Sequence, residues 1–161
     1  QASDLSLDGG RLINVSKKCE HVLGDEYDSG GAGITTSVSD YSKLLAALAN
    51  GGIGPTGERI LLPETIELLR TNQLNEKQFK GFDWPQLSGY GYGLGVRTML
   101  DVEKSGFLGN RGEFGWGGAA GANALVDPSL KLSMFYAHHM LNPQEAYYQP
   151  RLRNALYACL K

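Results

Sequence analysis

The sequence predicts an α+β fold, an antiparallel sheet flanked by helices. Three observations carry that reading. Apolar residues recur at helical spacing over Tyr41, Leu44, Leu45 and Leu48. From residue 91 the apolar period changes to two. After Pro150 it returns to helical spacing through Leu152, Ala155, Leu156, Cys159 and Leu160. Helices, then strands, then a helix is the order of an α+β chain. A chain of 161 residues has the size of one domain, whole or partial, spanning 1–161.

Residues 1–30 form a polar, glycine-rich and loop-rich lead-in, whose one apolar stretch, Leu12-Ile13-Asn14-Val15, reads as a weak strand or turn. The leucine helix follows. Ser37 and Asp40 have the spacing of a capping box, with aspartate in the usual Glu or Gln place, and Gly51-Gly52 stops the helix. A short helix starts at Pro63, whose fixed φ suits the first helical position, with Glu64 and Glu67 near its start and Ile66 and Leu69 as its apolar edge. Residues 72–90 lack periodicity, carry Trp84-Pro85 and read as a loop.

In the strand region Leu94, Val96, Thr98 and Leu100 alternate with Gly95, Arg97 and Met99, as in one half-buried strand. Gly112–Trp116, Leu125-Val126 and Leu132–Ala137 are further strands, the last two joined by an Asp127-Pro128-Ser129 turn, so the whole reads as an antiparallel meander. Pro150 is expected to end any helix before it and to precede a terminal one.

Composition excludes several classes. Apolar residues make up 42%, enough for a core. Fifteen Lys+Arg against seventeen Asp+Glu leave no basic excess for neutralising phosphates, so no nucleic acid is expected as partner. No apolar run approaches the ~20 residues of a membrane span. Cys19 and Cys159 lack redox or zinc spacing and read as free, buried thiols, the less favoured alternative being a bridge that would close almost the whole chain. The chain opens at Gln1 without an initiator Met or a charged-then-apolar leader, so a mature form or part of a longer protein is expected.

Few residues suggest chemistry by themselves. His138-His139 point to opposite faces of a strand and His21 is distant, so no metal is expected. Asp25, Glu26 and Asp28 read as a solvated loop. Tyr90-Gly91-Tyr92-Gly93 suits a pocket wall or a strand start equally. No phosphate-cradling loop occurs. Glycine is the compositional oddity, 22 of 161 residues against an average near ~7%. Five of these glycines, with three alanines, fill Gly112–Asn123. A strand of such small residues packs poorly as core and suits close approach of a ligand or another backbone. An exposed edge there can hold an extended ligand or stabilise an oxyanion. A plain glycine-rich hairpin explains it equally well.

Order and spacing add a resemblance. Gly30-Gly31-Ala32-Gly33-Ile34-Thr35-Thr36-Ser37-Val38-Ser39-Asp40-Tyr41 leads into a leucine helix ending Ala49-Asn50-Gly51-Gly52. After it come Arg59-Ile60-Leu61-Leu62-Pro63-Glu64-Thr65, then Tyr92-Gly93-Leu94-Gly95-Val96. Gly115-Trp116-Gly117-Gly118-Ala119-Ala120-Gly121 and Val126-Asp127-Pro128 complete the set. This series over about residues 27–161 resembles the serine β-lactamase-like family of class C β-lactamases, penicillin-binding DD-peptidases and esterases. The resemblance implies the C-terminal part of a β-lactamase/transpeptidase-like fold and acyl-serine hydrolysis without a cofactor. It implies a periplasmic or extracellular setting and a small acyl, peptide or lactam substrate. Trp116, Gly117 and Gly118 then stand at the family's third motif, often Lys-Thr-Gly, as substrate-binding residues. The backbone N–H of Ala119 becomes an oxyanion-hole donor. Without the lysine, ester or peptide chemistry is favoured over efficient lactam hydrolysis.

Two family motifs are missing. None of the eleven serines has a lysine three places on, and no Tyr or Ser has an asparagine two places on. The chain therefore resembles the C-terminal half of such a hydrolase, without nucleophile or general base and inactive alone. Its expected partner is the missing N-terminal half or a second copy of the chain. The alternative is a non-catalytic peptide- or cell-wall-binding module of the same fold.

Overall fold

The computed structural model describes residues 3–5, 12–14, 29–31, 34–138, 140–141 and 144–160. Cys19, His21, Asp25, Glu26, Asp28 and His139 lie outside the described residues. Within the lead-in, β1 (Ser3–Leu5) pairs antiparallel with β2 (Leu12–Asn14) and parallel with β8 (Met140–Leu141), in the order β2-β1-β8. The short apolar stretch is thus a strand, and Ser3–Leu5, which carries no alternation to speak of, is a second.

Helix α1 (Val38–Ala49) starts as its sequence dictates. The Ser37 oxygen accepts the Asp40 N–H (3.1 Å) while the Ser37 hydroxyl donates to the Asp40 carboxylate (2.9 Å). It stops at Asn50, with the following Gly51 and Gly52 both in the left-handed region. Its buried stripe runs through Tyr41, Leu45, Leu48 and Ala49, so Leu44, at the margin of that stripe, stays 42% exposed. Helix α2 (Pro63–Arg70) buries Ile66 and half-buries Leu69, and its Arg70 donates to the Gly112 carbonyl (2.7 Å), fastening it to the approach of a central strand. Residues 72–90 are not all loop. Helix α3 (Glu76–Phe79) carries a full capping box between Asn75 and Gln78, and a 3-10 turn covers Pro85–Leu87. Four residues are too few to show a period, which is why the segment reads as loop in the sequence.

The main sheet is a five-stranded antiparallel meander. It comprises β3 (Tyr90–Tyr92), β4 (Arg97–Met99), β5 (Phe114–Gly117), β6 (Asn123–Asp127) and β7 (Leu132–Tyr136), in that order. Helix α4 (Val102–Ser105) lies between β4 and β5. The single strand expected over Leu94–Leu100 is instead a hairpin turn followed by β4. Gly95 turns the chain at φ 80°, Gly93 N–H bonds the Val96 carbonyl (2.8 Å), and Leu94 N–H reaches the Leu69 carbonyl on α2 (2.9 Å). The alternation of Leu94 with Val96 is therefore that of a turn tip, where Leu94 points to solvent.

The register separates the two faces. Phe114 lies opposite Val126 and Ala124 opposite Phe135; these four, with Leu45, Ile66 and Tyr41, form the apolar core under α1 and α2. Their chain neighbours Glu113 and Asp127 point the other way, onto the last helix, α5 (Glu145–Ala158). That helix departs twice from expectation. It starts before Pro150 and runs through it, and its buried side chains are Gln149 and Arg153 rather than Leu152 or Leu156. Glu145, Gln149, Arg153 and Tyr157, four apart, form a polar stripe that meets buried charges of the sheet. That network of bonds offsets the one hydrogen bond that Pro150 denies the Ala146 carbonyl. Cys159, at its end, is free and exposed rather than buried. Among the described residues no helix is long and apolar enough to cross a membrane.

Candidate functional site at the free edge of strand β5

Strand β5 has two neighbours for only half its length. Phe114 and Gly115 pair with Thr98 and Arg97 of β4, but on the other side the pairing with β6 continues to Gly117. Beyond Gly115, among the described residues, the β4 side of Trp116 and Gly117 has no partner strand. The chain then turns at Gly118–Gly121, held by Gly118 N–H to the Ala122 carbonyl (2.7 Å) and Gly121 N–H to the Gly118 carbonyl (2.9 Å). Ala119 is exposed at the tip, and among the described residues nothing accepts its N–H. The four residues singled out in the sequence, Trp116, Gly117, Gly118 and Ala119, thus occupy one strand end and its turn.

Side chains from four other elements support this edge. Trp116, 41% exposed, stands edge-on to Tyr92 at 5.3 Å, and Tyr92 packs on Phe82 at 5.7 Å. Tyr90–Gly93 is therefore a strand start that also contributes to the site wall. Beneath the strand, a Cβ on Gly117 would overlap the Glu145 carboxylate and the Gln149 amide, so glycine is what lets α5 press against β5 here. Gln149 donates to Glu145 and accepts from the buried Arg97 (3.0 Å), the residue paired with Gly115. The half-buried His138 lies under the turn. Its Nδ1 meets the Tyr136 hydroxyl (2.8 Å) and its Nε2 abuts Gly121, without a partner among the described residues.

Over the apolar face a groove of about 460 Å³ runs from Tyr41, Leu45 and Leu69 past Val96 and Phe114 to Trp116, and among the described residues no charged side chain lines it. Charge is concentrated on the opposite face. Arg153 forms an ion pair with Glu113, and Tyr157 donates to both Glu113 (2.6 Å) and Asp127 (2.8 Å). Burial pushes the Asp127 carboxyl up, but bonds from Ser129, Asn110 and Tyr157 outweigh it and hold it below its ordinary range. Burial raises Tyr90 to about 12 and also raises Tyr157, the latter helped by its bond to Glu113. Burial lowers Arg97, whereas the bond to Glu113 leaves Arg153 raised despite burial. Among the described residues no three His, Cys, Asp or Glu side chains gather as a metal site.

Sequence reasoning missed Glu145, Gln149 and His138. The first two had a readable signal, the polar i, i+4, i+8, i+12 stripe Glu145–Gln149–Arg153–Tyr157. His138 had none, because Gly121, which its ring abuts, is distant in sequence.

A meander carrying an uncovered strand edge at a glycine-rich turn, with helices on both faces, defines an α+β domain of the serine β-lactamase-like fold. The Beta-lactamase family model matches residues 6–158, and the chain belongs to that family. Two curated relatives, "Uncharacterized protein MT1414" and "Protein Rv1367c" of two Mycobacterium tuberculosis strains, are each 33% identical over 123 residues. Each match covers 72% of this chain but 30% of the relative, so the chain spans under a third of their length. Among solved structures, "EstCE1, a hydrolase with promiscuous acyltransferase activity" superposes with a TM-score of 0.69 at 24% identity, covering 95% of this chain and 38% of that one. A mutant of "Simvastatin Synthase (LovD)" from Aspergillus terreus superposes at 0.72 and 19% identity, covering 98% and 41%.

Proposed function

We propose that this chain forms one wall of the acyl-binding cleft of a serine hydrolase, and that Ala119 N–H is one of its two oxyanion donors. The observation that supports this reading most is the exposed Ala119 N–H, unpartnered among the described residues, beyond a strand end that pairs on one side only. A donor aimed at a tetrahedral intermediate must be free of other acceptors and fixed in place. The β5–β6 ladder and the Gly118–Gly121 turn fix it. Trp116, Gly117 and Gly118 line the substrate's path along the free edge.

In this reading the nucleophilic serine and its lysine belong to a part of the protein beyond these 161 residues. The chain alone is inert, a partial domain whose apolar groove is covered by that remainder or by a second copy. The relatives' greater length supports this. The uncharged groove and Trp116 in place of a lysine favour neutral esters over anionic lactams. A fluorophosphonate probe tests the reading. A longer polypeptide containing this chain should be labelled at one serine and hydrolyse a chromogenic ester, whereas the 161-residue chain should take no label. Stoichiometric labelling of the chain itself would overturn the proposal. A second reading, a non-catalytic module that captures extended peptides, is favoured by the same free strand edge. Saturable peptide binding with no labelled serine in the longer protein would select it.

A further inference from the structure

A second concavity lies beside the site. The segment 79–90 and the segment 100–104 enclose an open cleft of about 670 Å³. Its walls are tied together. Leu100 and Asp101 both donate to the Gly89 carbonyl (3.0 Å each), and the Ser88 hydroxyl donates to the Lys104 carbonyl (3.0 Å). The 3-10 turn, closed by Leu87 N–H to the Trp84 carbonyl (2.8 Å), holds Trp84 at the cleft while leaving it 62% exposed. An exposed tryptophan on a braced turn is apolar area with no internal use.

Phe79, Phe82 and Trp84 give the cleft an aromatic lining. Its charged residues, Lys80 and Lys104 against Asp83 and Asp101, cancel in sign. Phe82 belongs both to this cleft and to the row Phe82–Tyr92–Trp116 that ends at the free edge of β5. Resting on the hydrolase reading above, we infer that this cleft is a substrate subsite that takes a neutral, planar aromatic group of the ester, and that the aromatic row links it to the acyl position. The lining lacks a net charge that would select an ion, and aromatic faces reward a ring over an aliphatic group of equal size.

The test compares 2-naphthol with decahydro-2-naphthol, the same skeleton without aromaticity, as ligands of the 161-residue chain. Binding is followed by the indole N–H resonances of Trp84 and Trp116, the chain's two tryptophans. The naphthol should bind at least tenfold tighter and shift the Trp84 resonance, and W84A should weaken it at least tenfold. Trp84 is exposed, so that variant keeps the fold. Equal affinity for the two alcohols, an unmoved Trp84 signal or unchanged binding in W84A would overturn the inference. A second arm measures the preference of the longer protein for 2-naphthyl over ethyl esters, which should drop at least tenfold in W84A. Ester hydrolysis whose preference W84A leaves unchanged would defeat the subsite and spare the hydrolase reading. Naphthol binding at Trp84 with no serine labelled would do the reverse, leaving an aromatic-binding cleft.

Discussion

Arg153, on the last helix, forms an ion pair with Glu113, the residue just before the site strand, and the two side chains are 7% and 1% exposed. Tyr157, one turn further along the same helix, bonds Glu113 and Asp127 together. The sheet face beneath α5 is therefore held by charge, whereas the face beneath α1 is held by apolar packing.

Breaking that pair by removing one partner leaves an uncompensated charge out of water. R153M and E113Q are each expected to cost about 3–5 kcal/mol in urea unfolding. The double variant R153M/E113Q should cost less than the sum of the single effects, because it leaves neither charge stranded. Strict additivity in the double-mutant cycle would show that the pair is not coupled.

Stability should fall at both pH extremes for different reasons. Asp127 has a folded pKa below its ordinary value, so its contribution is present above about pH 4 and is lost as pH falls through the folded value. D127N should flatten that acid limb. Tyr90 is raised to about 12, so its contribution is complete below about pH 10 and fades as pH rises toward 12, where Y90F should be the less sensitive. Unfolding midpoints across pH in the three proteins check both limbs, and parallel curves would contradict the assignment.

G117A should force a methyl group into Glu145 and Gln149. Amide hydrogen exchange at Trp116 and Gly118 is expected to quicken, with E145A in the same chain restoring protection. Protection unchanged in G117A would mean that α5 does not set the position of β5.

A119P removes the donor proposed for the oxyanion. Ester turnover in the longer protein should fall by about 10²–10³, with the unfolding midpoint nearly unchanged because the turn is exposed. Unimpaired turnover would remove Ala119 from the machinery.

Much of this molecule was legible in its residues because local signals and global packing agree. Ser37, Gly51-Gly52 and Pro63 set their helix ends, and Asp127-Pro128-Ser129 is the turn of the β6–β7 hairpin. The site segment was legible as a run of small residues that had to be explained. Failures came where tertiary contacts override the local pattern. Leu94 to Leu100 alternates yet folds as a turn and a short strand, since the Leu69 carbonyl captures Leu94 N–H. The helix expected after Pro150 is longer and buries its polar side, because the sheet opposes it with Glu113, Asp127 and Arg97 rather than with apolar residues. An apolar stripe can be counted, whereas a buried charge shows itself only when its counter-charge is known.

The polar underside of the sheet has a consequence for the order of assembly. The five strands are joined by connections between sequence neighbours, so the meander can zip up through short loop closures. Helix α5 must instead find Arg97, Glu113 and Asp127 across separations of 52, 44 and 30 residues. Until it arrives those charges stay hydrated and Gly117 has nothing pressed beneath it. Docking of α5 is therefore a dehydration step for those charges, and the site strand acquires its final position only when that step is complete.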